Sequence, residues 1–435
     1  MLMDQNESIN LFLLVLAKGK EFSMKISNLR VNGQRLKATL DEMARIGGTR
    51  AGGMHRLALT DDDRKARDLF LKWLREMNLE VTVDEMGNIF GKRPGKNTDL
   101  TPVLSGSHLD TQPQGGRFDG ILGVMGTLEV LRTLEESRVE TEKSVMIVNW
   151  TNEEGTRFTP AMLGSGVWAG VFDRDWAYSR ADILGKKFGE ELERIGYKGK
   201  KDVKRRPVQA YYEFHIEQGP VLEKVGKTIG VPKGILGISW YDVLVEGEGN
   251  QAGPTPMEDR KDALCTAAEM MLKVNELPAR MGGNMVATVG EIHNLPNSRN
   301  IIPDRVRFTL DVRSWDPALV DRAIEEVRKD FLRISERRRC PVRMEEVWRI
   351  RPTVFAPALV KKVEEVTIQL GYPHYPMISG AGHYAAYVSQ VSPTAMIFVP
   401  SVGGRSHVEV ENTTWEHCEA GANVLLHCIL QSTIC

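Results

Sequence analysis

The stretch PVLSGSHLDTQPQGGRFDGILGVMGTLEVLRTLEESRVETEKSVMIVNW, residues 102–150, decides the fold. Residues 102–104 and 145–150 have the apolar character of buried strands. Between them, residues 120–134 carry apolar side chains at helical spacing, at Leu122, Met125, Leu128 and Leu131. A strand, a helix and a second strand in this order predict an α/β domain with a mainly parallel central sheet.

A second pattern occupies residues 238–348. Strands at 240–245, 285–292, 306–312 and 342–347 alternate with helices at 259–274 and after Asp316-Pro317, an N-cap followed by proline. This β-α-β-β-α-β order is typical of a ferredoxin-like α+β unit. The alternation of helices and strands that is typical of an α/β domain resumes with a helix at 358–370 and a strand at 394–399. We therefore predict a larger domain in two parts, 24–232 and 350–435, with the smaller unit inserted at 233–349.

Composition excludes several classes of protein. The 435 residues contain 57 Lys and Arg against 58 Asp and Glu, so the basic excess of a nucleic-acid or anionic-membrane binder is missing. Five cysteines without a CxxC pair predict reduced thiols and a cytoplasmic location. The apolar run at residues 9–17 is too short to span a bilayer and follows acidic residues, which argues against a signal peptide.

Histidines and carboxylates cluster next to the predicted strands and glycine-rich loops. These residues are His108, Asp119, the adjacent pair Glu153 and Glu154, His215 and His407. Open α/β sheets bind ligands at the carboxyl ends of their strands, and imidazole with carboxylate suits divalent metal ions. The pattern therefore predicts a metal site in this crevice.

Each of these residues also has a structural interpretation. His108 could be a hydrogen-bonded histidine at a strand end, Asp119 could cap the helix that follows Gly120, and the two glutamates could form a solvated turn. Other motifs are weaker. His215-x-Glu217 lacks the PCxxC of zinc deaminases, and the GxGxxA match at residues 380–385 lacks the acidic residue of a dinucleotide site.

Eight segments together resemble one family, and they occur in its order and approximate spacing: GSHLDT, GGRFDG, NEEGTRF, HIEQGPVLE, AGPTPM, NSRNIIP, SGAGH and GGRSH. This family is the amidohydrolase branch of the dinuclear-metal peptidase clan. It comprises N-carbamoyl-L-amino-acid hydrolases, bacterial and yeast β-ureidopropionases and allantoate amidohydrolases. The resemblance extends over nearly the whole chain from residue 24.

The resemblance implies a role for each predicted ligand. Asp119 would bridge two divalent ions (Zn, Mn, Co or Ni), with His108 and His215 completing one site and Glu154 and His407 the other. Glu153 would act as the general base. Asp110 would hold His108 in orientation as a carboxylate behind the ligand.

The resemblance also assigns functions to the inserted unit, which would be a lid and the contact of a homodimer. Asn300 and Arg313 match positions that contact the substrate in relatives, and the Arg313 fork suits a carboxylate. The alternative for Arg313 is a cross-strand ion pair with a neighbour in the sheet. Gln218 occupies a signature position and is assigned to substrate binding.

Two residues depart from the family pattern. Gln251 stands where a histidine often precedes AGxTPM, reaches a neighbouring subunit's site and stabilises the developing oxyanion. Tyr384 stands where an aspartate commonly follows SGAGH. The expected activity is hydrolysis of a small N-carbamoyl amino acid to amino acid, CO2 and ammonia. Alternatives are an allantoate or other ureido-acid hydrolase, an aminoacylase or peptidase, and a binding protein without turnover.

Overall fold

The computed structural model describes residues 26–203 and 206–434. The apolar run at residues 9–17 and the predicted domain start at residue 24 lie outside this part of the chain. Its strands, in chain order, are β1 Glu80–Val83, β2 Ile89–Arg93, β3 Val103–His108, β4 Val145–Trp150, β5 Ala210–Ile216, β6 Ile229–Ile235, β7 Gly237–Glu246, β8 Asn250–Gln251, β9 Val286–Thr288, β10 Ile292–Leu295, β11 Ile301–Ile302, β12 Arg305–Ser314, β13 Val342–Ile350, β14 Thr353–Val354, β15 His374–Ser379 and β16 Thr394–Val399.

The helices surround these strands, and the predicted N-cap of the second long helix of the smaller unit is confirmed, because the Asp316 carboxylate accepts from the backbone of Ala318. The α-helices are α1 Gly33–Met43, α2 Asp61–Glu76, α3 Ile121–Glu136, α4 Leu163–Trp168, α5 Arg174–Tyr178, α6 Phe188–Arg194, α7 Val221–Val225, α8 Ala263–Met281, α9 Pro317–Arg338, α10 Pro357–Gln369, α11 Ala385–Val388 and α12 Trp415–Thr433. Over the described ranges, none of them has both the length and the apolar character that crossing a bilayer requires.

The central sheet is mixed, and its middle is parallel. Among the described residues nine strands belong to it, in the order β1-β2-β4-β3-β5-β16-β6-β14, with β15 beside β6. Pairing is parallel from β4 through β3 and β5 to β16. The predicted α/β fold with a mainly parallel central sheet is thereby confirmed.

The middle strands are buried on both faces, which accounts for their continuous apolar character. Phe214 of β5 lies against the glycines Gly126 of α3 and Gly421 of α12. Its neighbour Glu213 points to the other face and accepts a hydrogen bond from the backbone of Ala385 in α11. Helices on both faces leave the carboxyl ends of the strands as the open edge.

A second sheet has the order β10-β12-β7-β13, with β9 also pairing β12, and all its pairings are antiparallel. The apolar residues Val306, Phe308, Leu310 and Val312 alternate along the sequence, which predicts that they face one way. They are buried in β12 and pack with α8 and α9 in an apolar cluster separate from that of the central sheet. The other face of this sheet carries no such layer among the described residues, and polar side chains of β7 and β12 lie on it.

The structure contains strands that the sequence-based assignment merges or omits. The single strand predicted at 285–292 is two short strands, β9 and β10, which pair with different parts of β12. Strand β5 was not predicted, because Glu213 and His215 interrupt its apolar run even though both side chains are buried.

Candidate active site at the carboxyl edge of the central sheet

The predicted ligands converge at the carboxyl edge of the central sheet. His108 is the last residue of β3, and His215 is the second-last residue of β5. Three groups of side chains bring their ligand atoms within 4.8 Å of one another: His108 with Asp119 and His215, Asp119 with Glu154 and His407, and His108 with Glu153 and Glu154. Asp119 belongs to the first two groups.

The Asp119 carboxylate lies between two sets of imidazoles. Its Oδ1 is 3.1 Å from Nε2 of His215 and 3.8 Å from Nε2 of His108. Its Oδ2 is 3.1 Å from Nε2 of His407, which in turn is 3.5 Å from Oε2 of Glu154. Each oxygen therefore faces a different group, as a bridging carboxylate requires.

The loop before α3 needs glycine at residue 120. Gly120 has a φ of 68°, and a Cβ there would lie 2.1 Å from Nε2 of His108. Its N–H donates to Nε2 of His215 at 3.0 Å. Gly120 is itself the N-cap of α3, without a side-chain cap, so the alternative that Asp119 caps this helix is wrong.

Backbone carbonyls orient two of the histidines. Nδ1 of His108 lies 2.9 Å from the carbonyl oxygen of Asp110, and Nδ1 of His215 lies 2.9 Å from that of Ile216. A carbonyl accepts only from Nδ1–H, so Nδ1 carries a proton in both rings, and Nε2 is the nitrogen that has the lone pair whenever a ring is neutral. Both rings thus present the atom that ligates a metal.

The Asp110 carboxylate acts on the two glutamates rather than mainly on His108. It accepts from the backbone N–H of Glu153 at 3.2 Å and of Glu154 at 3.3 Å, whereas its Oδ1 is 3.8 Å from Nδ1 of His108. Burial and the nearby Asp63 raise the pKa of Asp110 to about 7. The Glu153-Glu154 turn is buried, and its backbone N–H groups donate to the Asp110 carboxylate. The interpretation of the two glutamates as a solvated turn is therefore wrong.

Glu153 and Glu154 have different surroundings. Oε2 of Glu153 is 3.7 Å from Nε2 of His108, and burial together with Glu154 and Asp119 raises its pKa well above the usual range. Glu154 accepts from the Gln112 side chain at 2.7 Å, and burial raises its pKa to about 8. The Glu154 carboxylate is therefore hydrogen-bonded to Gln112, whereas the Glu153 carboxylate lies beside His108.

The cluster is electrostatically suited to cations. Although burial raises the pKa of Asp119, its contacts with His215 and His407 hold the pKa well below the usual range. Burial lowers the pKa of His407, but Glu154 and Asp119 outweigh it and raise the pKa to about 10. In the absence of metal, the raised pKa values of His407, Glu153 and Glu154 favour their protonated forms, which limits the net negative charge of the cluster.

The residues fit divalent metal ions. Nε2 of His108 and Oε1 of Glu154 are buried and have no hydrogen-bond partner among the residues that the structure describes. Such atoms are costly to bury unless a ligand satisfies them. The donor set is imidazole and carboxylate, which zinc, manganese, cobalt and nickel accept. A cleft of about 570 Å³ opens beside His407 and Gln112.

Glu411 belongs to the site and was not predicted. It is buried, and its Oε1 accepts from the backbone N–H of Phe118 at 3.1 Å and Asp119 at 3.0 Å. Its Oε2 accepts from Ser406 at 2.8 Å and from the N–H of His407 at 3.3 Å. Glu411 therefore joins the loops of two ligands, a role that no local sequence pattern reveals.

Gln218 lies among the ligands. Its Nε2 donates to Oδ2 of Asp119 at 2.8 Å and to Ser406 at 3.2 Å, and it is 3.2 Å from Nε2 of His407. Its amide oxygen is buried without a partner in the described chain, and its φ of 61° is left-handed. Tyr384 is buried near His108, with ring centroids 6.1 Å apart, and its hydroxyl also lacks a described partner.

Of the residues predicted outside the ligand cluster, Gln251 and Asn300 lie in or next to the two-stranded β8–β11 sheet, and Arg313 lies on β12 of the second sheet. Gln251 is exposed on β8, and Asn300 is exposed with its Oδ1 accepting from Ser298. Arg313 on β12 pairs with Asp311 and donates to the carbonyl oxygen of Gly380 at 2.9 Å. Arg313 is therefore the member of this set that contacts the loop carrying the SGAGH motif.

An α/β sheet covered on both faces, with imidazoles and carboxylates at its carboxyl edge, is typical of metal-dependent hydrolases. The chain belongs to peptidase family M20/M25/M40, whose family model matches residues 104–431. It is 44% identical over 405 residues to an N-carbamoyl-L-amino-acid amidohydrolase of Rhizobium meliloti, covering 93% of this chain and 97% of the relative.

Two further relatives bear on substrate and fold. An allantoate amidohydrolase of Bacillus subtilis is 32% identical over 393 residues, covering 89% of this chain and 94% of the relative. The crystal structure of an amidase of the hydantoinase/carbamoylase family from Burkholderia vietnamiensis superposes with a TM-score of 0.92 at 46% identity, covering 94% of this chain and 99% of that one.

Proposed function

We propose that the protein is a metal-dependent amidohydrolase that cleaves the carbamoyl C–N bond of an N-carbamoyl amino acid. The substrate would be of the L-amino acid or β-alanine type, and the products would be the amino acid, CO2 and ammonia. The observation that carries this proposal is the pair of ligand groups that share Asp119, with Glu153 beside them. The name of the Rhizobium meliloti relative supports the substrate class.

Two divalent ions, Zn, Mn, Co or Ni, are proposed as cofactors. His108, Asp119 and His215 would hold one ion, and Asp119, Glu154 and His407 would hold the other. When bound, such ions supply Lewis-acid chemistry, which polarises a carbonyl oxygen and makes a water molecule more acidic. The ureido carbon is a poor electrophile because its two nitrogens donate electron density to it, so this assistance is needed.

Glu153 is proposed to move the proton. Its carboxylate would accept a proton from the attacking water and pass it to the leaving nitrogen, so that the nitrogen departs as a neutral amine. The hydrogen bonds of Asp110 to the backbone of Glu153 and Glu154 fix this turn, which supports a fixed position for the base. Glu154 ligates while Glu153 carries the proton.

The second sheet is proposed to act as a lid and as the contact of a homodimer, with residues 233–349 as an inserted domain between 24–232 and 350–435. Arg313 would bind the substrate carboxylate, while Asn300 and Gln218 would add contacts and Gln251 would reach the partner's site. Exposed apolar residues on the edge strand β10 support pairing with a second copy. The free cysteines suit a cytoplasmic location.

The decisive experiment is a substrate panel on metal-free protein reloaded with Zn, Mn, Co or Ni in turn. N-carbamoyl-L-amino acids, N-carbamoyl-β-alanine, allantoate and N-acetyl amino acids are assayed for released ammonia or amine. The proposal expects the highest kcat/KM on an N-carbamoyl amino acid. A clear preference for allantoate would favour the second candidate, which the Bacillus subtilis relative supports. Preference for N-acetyl substrates would contradict both.

A further inference from the structure

Arg313 is held by two acceptors on different parts of the molecule. The Asp311 carboxylate accepts from its Nε at 3.0 Å and from its Nη2 at 2.7 Å, which is a bidentate pair. Nη1 donates to the carbonyl oxygen of Gly380 at 2.9 Å. Asp311 and Arg313 are two residues apart on β12, so both side chains lie on the same face of the strand.

These contacts use three of the five N–H groups of the guanidinium. One N–H on Nη1 and one on Nη2 are left, and two N–H groups on neighbouring terminal nitrogens match the two oxygens of one carboxylate. The Gly380 carbonyl belongs to the SGAGH segment, in which His383 packs against His215 with ring centroids 4.4 Å apart. The Arg313 guanidinium is therefore held next to the SGAGH segment, which contacts the ligand cluster through His383.

We propose that Asp311 is a positioning residue that sets the specificity for carboxylate substrates by fixing the Arg313 guanidinium with its terminal edge free. This inference rests on the proposed function, because it assigns the free edge to the substrate carboxylate. Asp311 does not compete with the substrate, since it occupies the Nε–Nη2 edge and leaves the remaining N–H on each terminal nitrogen for the substrate. Its carboxylate also keeps Arg313 from other partners when no substrate is bound.

The chain provides a matched control on the same face of the same sheet. Asp242 of β7 accepts from Nη2 of Arg307 at 3.1 and 2.9 Å through its two oxygens. Arg307 lies six residues before Arg313 on β12 and also points to the open face. An Asp→Asn change at residue 242 removes a comparable charge pair without touching the Arg313 fork.

The test measures binding in the Glu153→Gln background, so that it does not depend on turnover. Metal-loaded parent, Asp311→Asn, Asp311→Ala and Asp242→Asn proteins are titrated by calorimetry with an N-carbamoyl amino acid and with its carboxamide analogue. We expect Asp311→Asn to raise Kd for the carboxylate about tenfold and Asp311→Ala to raise it further, because a charge-assisted pair is lost. Kd for the carboxamide, metal content and the Asp242→Asn values should change less than twofold.

Three results would overturn the inference. A fall in Kd for Asp311→Asn would identify Asp311 as an internal competitor, and an unchanged Kd would leave it without a role in binding. Equal increases in Kd for the carboxylate and for the carboxamide would show that Asp311 has only a structural role. Failure of the proposed function looks different: Asp311-dependent binding of the carboxylate with no hydrolysis of any ureido substrate by wild type overturns the activity only. No binding by the parent overturns both.

Discussion

The cluster of predicted ligands contrasts with Gln251 and Asn300, which are proposed for the same reaction and lie in or next to the two-stranded β8–β11 sheet. The cluster is largely buried, with His108 and His215 each 1% exposed, and its members contact one another. Gln251 and Asn300 are exposed, and Asn300 bonds to its own loop. Among the described residues, helices cover both faces of the central sheet and one face of the second sheet. The cluster residues thus already contact one another, whereas the roles proposed for Gln251 and Asn300 require a further contact, which the proposed lid or a second copy would supply.

The largest effect is expected inside the cluster, for Glu153→Gln. The change keeps the size of the side chain but removes the proposed proton carrier, so kcat should fall by a factor of the order of 10² to 10⁴. Metal content, measured by elemental analysis, should stay at two ions per chain. Activity near that of wild type at saturating substrate would mean that another group is the base.

The pH dependence of metal uptake tests the charge balance of the cluster. Without metal, the pKa of His407 is about 10 and that of Glu154 about 8, so at pH 7 both are mainly protonated. Metal must displace these protons, so the apparent affinity should rise with pH from 6 to 8, by about tenfold per unit for each proton released. Calorimetry in two buffers of different ionisation enthalpy counts the protons, and a pH-independent affinity would contradict the assignment.

Glu411→Gln probes the connection between two ligand loops. The amide has a single acceptor oxygen, so it cannot serve the Asp119 loop and the His407 loop together. Metal affinity should fall by about ten- to a hundredfold, as for other groups that support metal ligands. Glu409→Gln in the same loop is the control and should leave the affinity unchanged. Equal losses in the two variants would show that the loop, not the Glu411 carboxylate, matters.

The smallest effect is expected on the second sheet, for Arg313→Lys. Lysine keeps the charge but loses the fork, so KM for a carboxylate substrate should rise about tenfold while KM for the carboxamide changes little. Arg307→Lys is the control on the same strand. Steady-state kinetics give KM for both substrates. Equal increases in KM for the carboxylate and the carboxamide would show that Arg313 only stabilises the sheet.

The convergence of the proposed metal ligands could be predicted because they stand in short local motifs next to strands that the apolar pattern reveals. Glu411 could not, because three of its four hydrogen-bond donors are backbone N–H groups, at residues 118, 119 and 407, and main-chain donors leave no mark in a sequence. The interpretation of Asp119 as a helix cap fitted the spacing, but the φ of 68° at Gly120 places the start of α3 beyond it.

On the second sheet, the alternation of β12 correctly gave its two faces. It could not say which acceptor Arg313 takes, because a same-strand neighbour and a neighbour across the sheet lie at similar distances from a long side chain. The structure places Asp311 and Gly380 on the guanidinium. The hydrogen-bond partners of a side chain on the exposed face depend on the tertiary structure. The alternation of apolar and polar residues, in contrast, already predicts which side chains of the strand are buried.

The hydrogen bond from the backbone N–H of Asp119 to the Glu411 carboxylate has a consequence during protein synthesis. The two residues are 292 positions apart, so at about 5 to 20 residues per second the first waits about 15 to 60 s for the second during synthesis. The three ligands of one group have all been translated by residue 215, whereas the other group needs His407. Between residues 215 and 407 a nascent chain therefore carries one proposed ligand group without the other, and a chain interrupted before residue 407 would never complete the second group.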